Sequence, residues 1–539
     1  MKSILLFPAV LLFLCVSSLQ SQETKMYRLH LKDKGNPAFS LAHPEDFLSL
    51  KSIERRNRQN LEVDSFDIPI DPAYMESITK TGAVIRTYSK WMKTVVVHLS
   101  DMEILSGLKN LPFVDSLYCV WEGNLPAKNM QVDIRLSSDV VENAINSYGS
   151  GFTQIAVNNG YLLHDAGFRG KGIAIAVLDG GFVNADKIDY FNQDQIKGTK
   201  SFNHESTDML REGSDHGVRV LSCMLSNKSG DMTGTAPEAD YYLFRTEVMD
   251  EEFPVEEDYW IAALEYADSL GVDIVTSSLG YSTFNDATMN HTKEQLDGRS
   301  IPISRAAGLS ASRGIVLFNS AGNEGNNNWK KIIFPADAEN IITVGSIDKD
   351  SIRSYFSSVG MTADKRIKPD LVAMGYQVSV IDSSGKIVQS NGTSYSTPIL
   401  AGLTACLREA LPDLSSYAML NLLREAANHF QNPDSLTGYG VADIYKAYSN
   451  QQTGIRPLPV SSDPVYISVD PHDNRLYINF LNQKQYNGCT LDIYTTLGNR
   501  ILTVSNLSGS INISSLPKGI YIVCLRTGDK QWVDKFVKN

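Results

Sequence analysis

Apolar and polar positions alternate from residue 27: Tyr27, Leu29 and Leu31 fall on one face and Arg28, His30 and Lys32 on the other, which predicts a strand. A loop and a charged helical segment follow. In it Arg55-Arg56-Asn57-Arg58, the densest basic cluster, reads as a solvated helix face. Asp71-Pro72 opens a helix that Gly82 closes, with cap, first-turn proline and terminator in place. Residues 84–88 and 94–99 read as strands, Ser100 and Glu103 as a capping box ahead of Ile104-Leu105 and Leu108, and 114–119 as a last strand. Setting aside an insertion over 33–70, the order is βαββαβ, the split form of a ferredoxin-like unit.

After a polar stretch over about 122–145 the pattern changes. Gly172-Ile173-Ala174-Ile175-Ala176-Val177-Leu178-Asp179 is a continuous apolar run ending in a carboxylate. Such runs are buried on both faces and predict a parallel sheet. Strands at 241–245, 272–276, 315–319 and 341–346 alternate with helices at 258–269 and 303–313, a doubly wound α/β domain reaching about residue 450. Residues 451–464 read as a linker, and 465–539 as short alternating strands of a small β-sandwich.

The chain has 539 residues, 42% of them hydrophobic, and a net charge of −12. This describes globular material, and the acidic balance without a basic stripe excludes nucleic acid as the expected partner. Residues 1–22 carry Lys2, an apolar run and then small and polar residues, the pattern of a secretory signal. Leu14 before Cys15 argues against lipid attachment, since a small residue belongs there. Of six cysteines, five lie beyond the leader: Cys119, Cys223, Cys406, Cys489 and Cys524. Their spacing suits neither zinc nor a redox pair. A Cys489–Cys524 bridge and unpaired buried thiols are both open, the second being the expectation.

The candidate chemistry centres on Ser390-Asn391-Gly392-Thr393-Ser394-Tyr395-Ser396-Thr397-Pro398, ahead of an apolar run over 399–411. Pro398 is expected in the first turn of the following helix, which places Ser394 just before a helix N-terminus. Backbone N–H groups there point outward and favour an oxyanion. Read singly, Gly-Thr-Ser is an N-cap, Asp179 a turn former, His216 a surface residue and Ala321-Gly322-Asn323-Glu324-Gly325 a tight turn. Together they fill every role of serine acyl transfer: hydroxyl, imidazole, carboxylate and oxyanion donors, each at an element end of one α/β domain.

These stretches resemble the subtilisin-like serine proteases, the subtilases. Ile175-Ala176-Val177-Leu178-Asp179-Gly180-Gly181 is similar to the family's Asp motif, Asp215-His216-Gly217 to its His motif and Gly392-Thr393-Ser394-Tyr395-Ser396-Thr397-Pro398 to its Ser motif. Ala321-Gly322-Asn323 resembles the oxyanion segment, Ser278-Leu279-Gly280 the substrate-pairing strand, and Gly234-Thr235-Ala236-Pro237 and Lys368-Pro369-Asp370 secondary landmarks. The resemblance implies catalytic Asp179, His216 and Ser394, an oxyanion donor in Asn323, and substrate-binding residues Ser278, Leu279, Gly280, Ala321 and Gly322. Two departures stand out. Val218 and Arg219 replace the usual Thr and second His, with an effect expected on packing beside His216. Tyr395 replaces the usual Met after the nucleophile. Ser396 breaks the Gly-x-Ser-x-Gly pattern of α/β-hydrolase esterases.

The resemblance also implies a domain plan: signal peptide 1–22, propeptide 23–139, catalytic domain 140–450, linker 451–464 and sorting sandwich 465–539, with cleavage within 120–145. Leu497-Gly498-Asn499, Leu516-Pro517-Lys518-Gly519-Ile520-Tyr521 and the ending Lys535-Phe536-Val537-Lys538 resemble the sorting domain of the type IX secretion system. A secreted or surface endopeptidase of a bacterium follows, exported across the outer membrane. Its expected partners are protein or peptide substrates, its own propeptide as intramolecular inhibitor, and the secretion machinery. The alternative is an inactive subtilase-fold scaffold. No cofactor is expected for catalysis. Asp286 and Asp297, in an insertion-like stretch over 281–306, are candidates for structural calcium, with a solvated loop as the expectation. Uncharged side chains are the default preference at the cleavage site.

Overall fold

The computed structural model describes residues 24–123, 147–452 apart from 204, 206 and 207, and 465–538 apart from 471–474, 481–489, 497, 506–509 and 528–529. The signal segment, most of the expected cleavage region and linker, and Cys489 lie outside the described residues. The chain divides into two compact units, Met1–Tyr448 and Ser449–Asn539.

The first unit opens with the small α+β domain. Its elements are β1 (Lys25–Leu31), α1 (Leu50–Arg58), α2 (Pro72–Thr79), β2 (Val84–Ser89), β3 (Thr94–Leu99), α3 (Ile104–Lys109) and β4 (Val114–Glu122). The antiparallel sheet has the order β2-β3-β1-β4, the ferredoxin-like arrangement. Asp71 caps α2 by accepting from the Ala73 N–H. The capping box expected at Ser100 does not form: α3 starts at Ile104, and the Asp101 carboxylate accepts from the Glu103 N–H instead. A short acidic side chain one residue further on competes for the same donors.

Leu29, Leu31, Val95, Val97 and Leu99 face this domain's own core. The other face, read as polar, is also covered, because it packs on the helix α5 (Val255–Leu270) of the following domain. Arg28 lies buried there in a double contact with Asp258, 2.7 Å on each side. The basic cluster is not a solvated face. Arg56 is buried between Asp67 and Asp268, 2.9 Å from each, and Arg55 bonds Asp268 and the Val272 carbonyl. Charges leave water only when paired, and two of the pairing carboxylates, Asp258 and Asp268, sit on α5, far away in sequence.

The large domain is built on a seven-stranded parallel sheet in the order β11-β10-β9-β8-β5-β7-β6. The strands are β5 (Ala174–Asp179), β6 (Ile196–Ser201), β7 (Asp240–Arg245), β8 (Ile274–Ser277), β9 (Val316–Ser320), β10 (Ile342–Ile347) and β11 (Leu371–Met374). All six residues of β5 are buried: Ile175 and Val177 pack against α4 (His216–Leu225) and α7 (Thr393–Ala410), and Ala174, Ala176 and Leu178 against α5 and α6 (Pro302–Leu309). Winding reverses at β5, whose neighbours are β7 and β8, so a crevice opens beyond the carboxyl ends of these strands. The segment over 281–306 is not simply a solvated loop. Tyr281, Phe284 and Leu296 are buried, and His291 meets Glu257 of α5.

The second unit is a β-sandwich by itself. Strands Val465–Asp470, Arg475–Phe480 and Ser510–Asn512 form one sheet; Thr490–Thr495, Arg500–Ser505, Gly519–Thr527 and Lys530–Lys538 form the other. Leu476 and Ile511 pack against Leu491, Ile493, Val523 and Leu525 between them.

Candidate active site

Asp179 ends β5 fully buried, and its Oδ1 accepts from the Gly180 N–H at 2.8 Å. His216 is the first residue of α4. Its approach is fixed by Gly217, whose N–H donates to the Gly181 carbonyl and where a Cβ would lie 2.4 Å from that oxygen and 2.8 Å from the Phe182 ring. The consequence is that His216 Nδ1 lies 2.8 Å from Asp179 Oδ1. A carboxylate there makes Nδ1 the protonated nitrogen and leaves the lone pair on Nε2.

Ser394 is the second residue of α7, not the residue ahead of it, and Pro398 is inside the helix rather than in its first turn. The ring has no N–H, so the Ser394 carbonyl four residues back has no helical donor. Ser278 supplies one: its Oγ donates to the Ser394 carbonyl oxygen at 2.7 Å. Pro398, four residues after Ser394, is the visible sequence signal for this need, yet the role of Ser278 went unread. The Ser394 N–H belongs to the helix's first turn and has no helical acceptor. Asn323 Oδ1 accepts from both the N–H and the hydroxyl of Thr393, at 3.0 Å each, which leaves its amide Nδ2 as the free donor end.

A cleft of about 490 Å³ collects Asp179, His216, Ser278, Leu279, Gly280, Gly322, Asn323 and Ser394. Ala321 stands apart from its lining: it is buried, its N–H donating to the Val344 carbonyl and its carbonyl accepting from Ile333. The cleft wall also carries Glu247, Glu251, Glu252, Glu256 and Glu324, an acidic lining that the default of uncharged substrate side chains did not anticipate. Burial pushes Glu247 up to about 7, and the Asp179 charge adds to this, against hydrogen bonds from Tyr281 and Thr246. Asp286 and Asp297 spend their oxygens on turns, accepting from Thr288 and from Arg299 and Ser300. Among the described residues no group of three or more His, Cys, Asp or Glu is arranged to hold a metal.

Residues 170–440, half of the chain, match the model of the subtilase family, Peptidase S8. The chain belongs to the subtilases. Residues 26–134 of this subtilase match the Peptidase S8 propeptide domain of Bacteroidota, and 470–539 match a secretion system C-terminal sorting domain, which directs export across the outer membrane. Subtilisin NAT of Bacillus subtilis subsp. natto is 28% identical over 273 residues, 50% of this chain and 64% of that protein. M-protease of Shouchella clausii is 28% identical over 287 residues, 53% of this chain and 66% of the relative. The subtilase thus spans 64% of the length of the subtilisin it matches. Among solved structures, MycP1 from Mycobacterium smegmatis aligns with a TM-score of 0.46 and 18% identity, over 60% of this chain and 90% of MycP1.

Proposed function

We propose that this chain is a secreted serine endopeptidase that cleaves peptide bonds through an acyl-enzyme on Ser394. The observation that carries the reading is the 2.8 Å contact of His216 Nδ1 with buried Asp179, in a cleft that also holds Ser394 and Asn323. Ser394 Oγ attacks the substrate carbonyl carbon while His216 Nε2 takes the hydroxyl proton. The oxyanion receives hydrogen bonds from the Ser394 N–H and Asn323 Nδ2. His216 returns the proton to the leaving amine, and water then hydrolyses the ester by the same route in reverse. Asp179 holds the tautomer and stabilises the imidazolium. Proton, nucleophile and donors all come from side chains and backbone, so the reaction calls for no cofactor. Subtilase membership supports the reading.

The N-terminal domain acts as an intramolecular inhibitor, removed by a cut within 120–145, and the type IX machinery carries the chain outward. Sequencing the N-terminus of the secreted protein beside its Ser394→Ala counterpart tests both points. The expected result is peptide hydrolysis and a trimmed N-terminus only in the unsubstituted chain. Equal trimming with no hydrolysis by either form favours the inactive scaffold.

A further inference from the structure

The two departures from the family pattern, Arg219 and Tyr395, meet behind His216. Arg219 lies one turn along α4 from His216 and is buried. Its Nη2 donates to both carboxylate oxygens of Asp215, at 2.8 and 2.9 Å, and the Tyr395 phenol is among the groups that act on its guanidinium. Tyr395 follows Ser394 on α7, is fully buried, and places its ring 5.9 Å from the His216 imidazole at an interplanar angle of 43°. These groups form one cluster: Asp215 is joined covalently to His216, His216 packs on Tyr395, the Tyr395 phenol acts on Arg219, and Arg219 pairs with Asp215. One side of the cluster belongs to the helix of the base and the other to the helix of the nucleophile.

We propose that Arg219 and Tyr395 are a positioning pair that fixes the His216 helix against the Ser394 helix and balances the Asp215 charge beside the imidazole. The inference rests on the proteolytic reading above. A fully buried tyrosine ring packed on the imidazole, with its phenol turned to a buried guanidinium, limits both the ring plane against His216 and the spacing of the helices. The guanidinium also keeps the Asp215 carboxylate from acting on the imidazole as an unpaired anion. Among the described residues, the other charged groups facing this cluster are Asp179 at the end of β5, Glu247 after β7 and Asp382, which acts on Arg219, with Glu251, Glu252, Glu256 and Glu324 further along the cleft.

The test uses full-length chain after its own processing, with Tyr395→Phe, Arg219→Met, Arg219→Lys and the Tyr395→Phe/Arg219→Met double variant. Readouts are kcat and KM on one peptide substrate, the pH profile of kcat/KM, and thermal unfolding. Tyr395→Phe keeps the ring and the charges; it is expected to lower kcat about tenfold with KM and the acid limb unchanged. Arg219→Met is expected to lower kcat similarly and to move the acid limb upward by roughly half a unit, because unpaired Asp215 favours the imidazolium. Arg219→Lys restores the limb. The double variant is expected to lose no more than the worse single one, since both disturb the same cluster behind His216. Single variants within twofold of the unsubstituted chain, losses confined to KM, multiplying losses, or reduced unfolding temperature with an unmoved pH profile in Arg219→Met each overturn the pair's role while leaving Ser394 chemistry standing. An unsubstituted chain that hydrolyses nothing overturns the proteolytic reading and this inference together.

Discussion

Ser278 Oγ donates a hydrogen bond to the Ser394 carbonyl oxygen across 2.7 Å, filling the place of the helical donor that Pro398 cannot supply. This ties the residue after β8 to the backbone of the proposed nucleophile. Ser278→Ala leaves that carbonyl without its partner, and a lost buried hydrogen bond of this kind costs about 1–3 kcal/mol. The expected outcome is a lower urea midpoint and a lower kcat; Ser394→Ala in the same background removes autolysis from the stability measurement.

In the proposed mechanism Asp179 acts through His216 and not through contact with substrate. Asp179→Asn offers an amide donor where the Nδ1–H donates, which favours the wrong imidazole tautomer. The general expectation for a triad is a fall in kcat of about 10⁴-fold with little change in KM. Steady-state kinetics on a chromogenic peptide check it.

Glu247 yields a pH prediction. Its pKa is about 7 in the folded chain, raised first by burial, against 4.5 ordinarily. The folded state therefore holds this proton more tightly than the unfolded one. Its contribution to stability is fully present below about pH 4.5 and is lost as pH rises through about 7. Glu247→Gln removes the ionisation, so in a Ser394→Ala background it is expected to melt higher than its parent at pH 8, by at most about 3 kcal/mol at 1.36 kcal/mol per pKa unit. At pH 4.5 the advantage disappears. Thermal melts at the two pH values decide it.

The contact of the N-terminal domain with α5 depends on buried pairs. Arg56→Met takes one of two cations from each of Asp67 and Asp268, both fully buried, leaving Asp268 to Arg55 and Asp67 to Arg313; breaking a buried pair from one side costs up to about 3–5 kcal/mol. A marked drop in the urea midpoint of uncleaved Ser394→Ala protein is expected. Lys80→Ala, which removes an exposed pair with Glu76, serves as the control with no measurable change.

Much of this was legible in the sequence, for physical reasons that also mark where legibility ended. β5 is a continuous apolar run because both its faces are covered, so its parallel setting could be read directly. Asp179, His216 and Ser394 could be singled out because each lies at an element end within a recognisable motif. Arg55 and Arg56 could not be placed, since local periodicity cannot distinguish a solvated charge from one paired with Asp268 more than 200 residues away. The strand Ile196–Ser201 was missed for a related reason: its half-buried edge position leaves Lys197 and Lys200 in an otherwise weak pattern. Arg219 and Tyr395 were each visible as departures, but their meeting is a property of the packing of α4 on α7.

The proposed nucleophile is tested most directly by treating the processed chain with a fluorophosphonate and locating the adduct by mass spectrometry. The account predicts one adduct, on the Ser394 oxygen, with peptide hydrolysis lost in proportion to its formation. No adduct on Ser394, or full hydrolysis after Ser394 is modified, would contradict it.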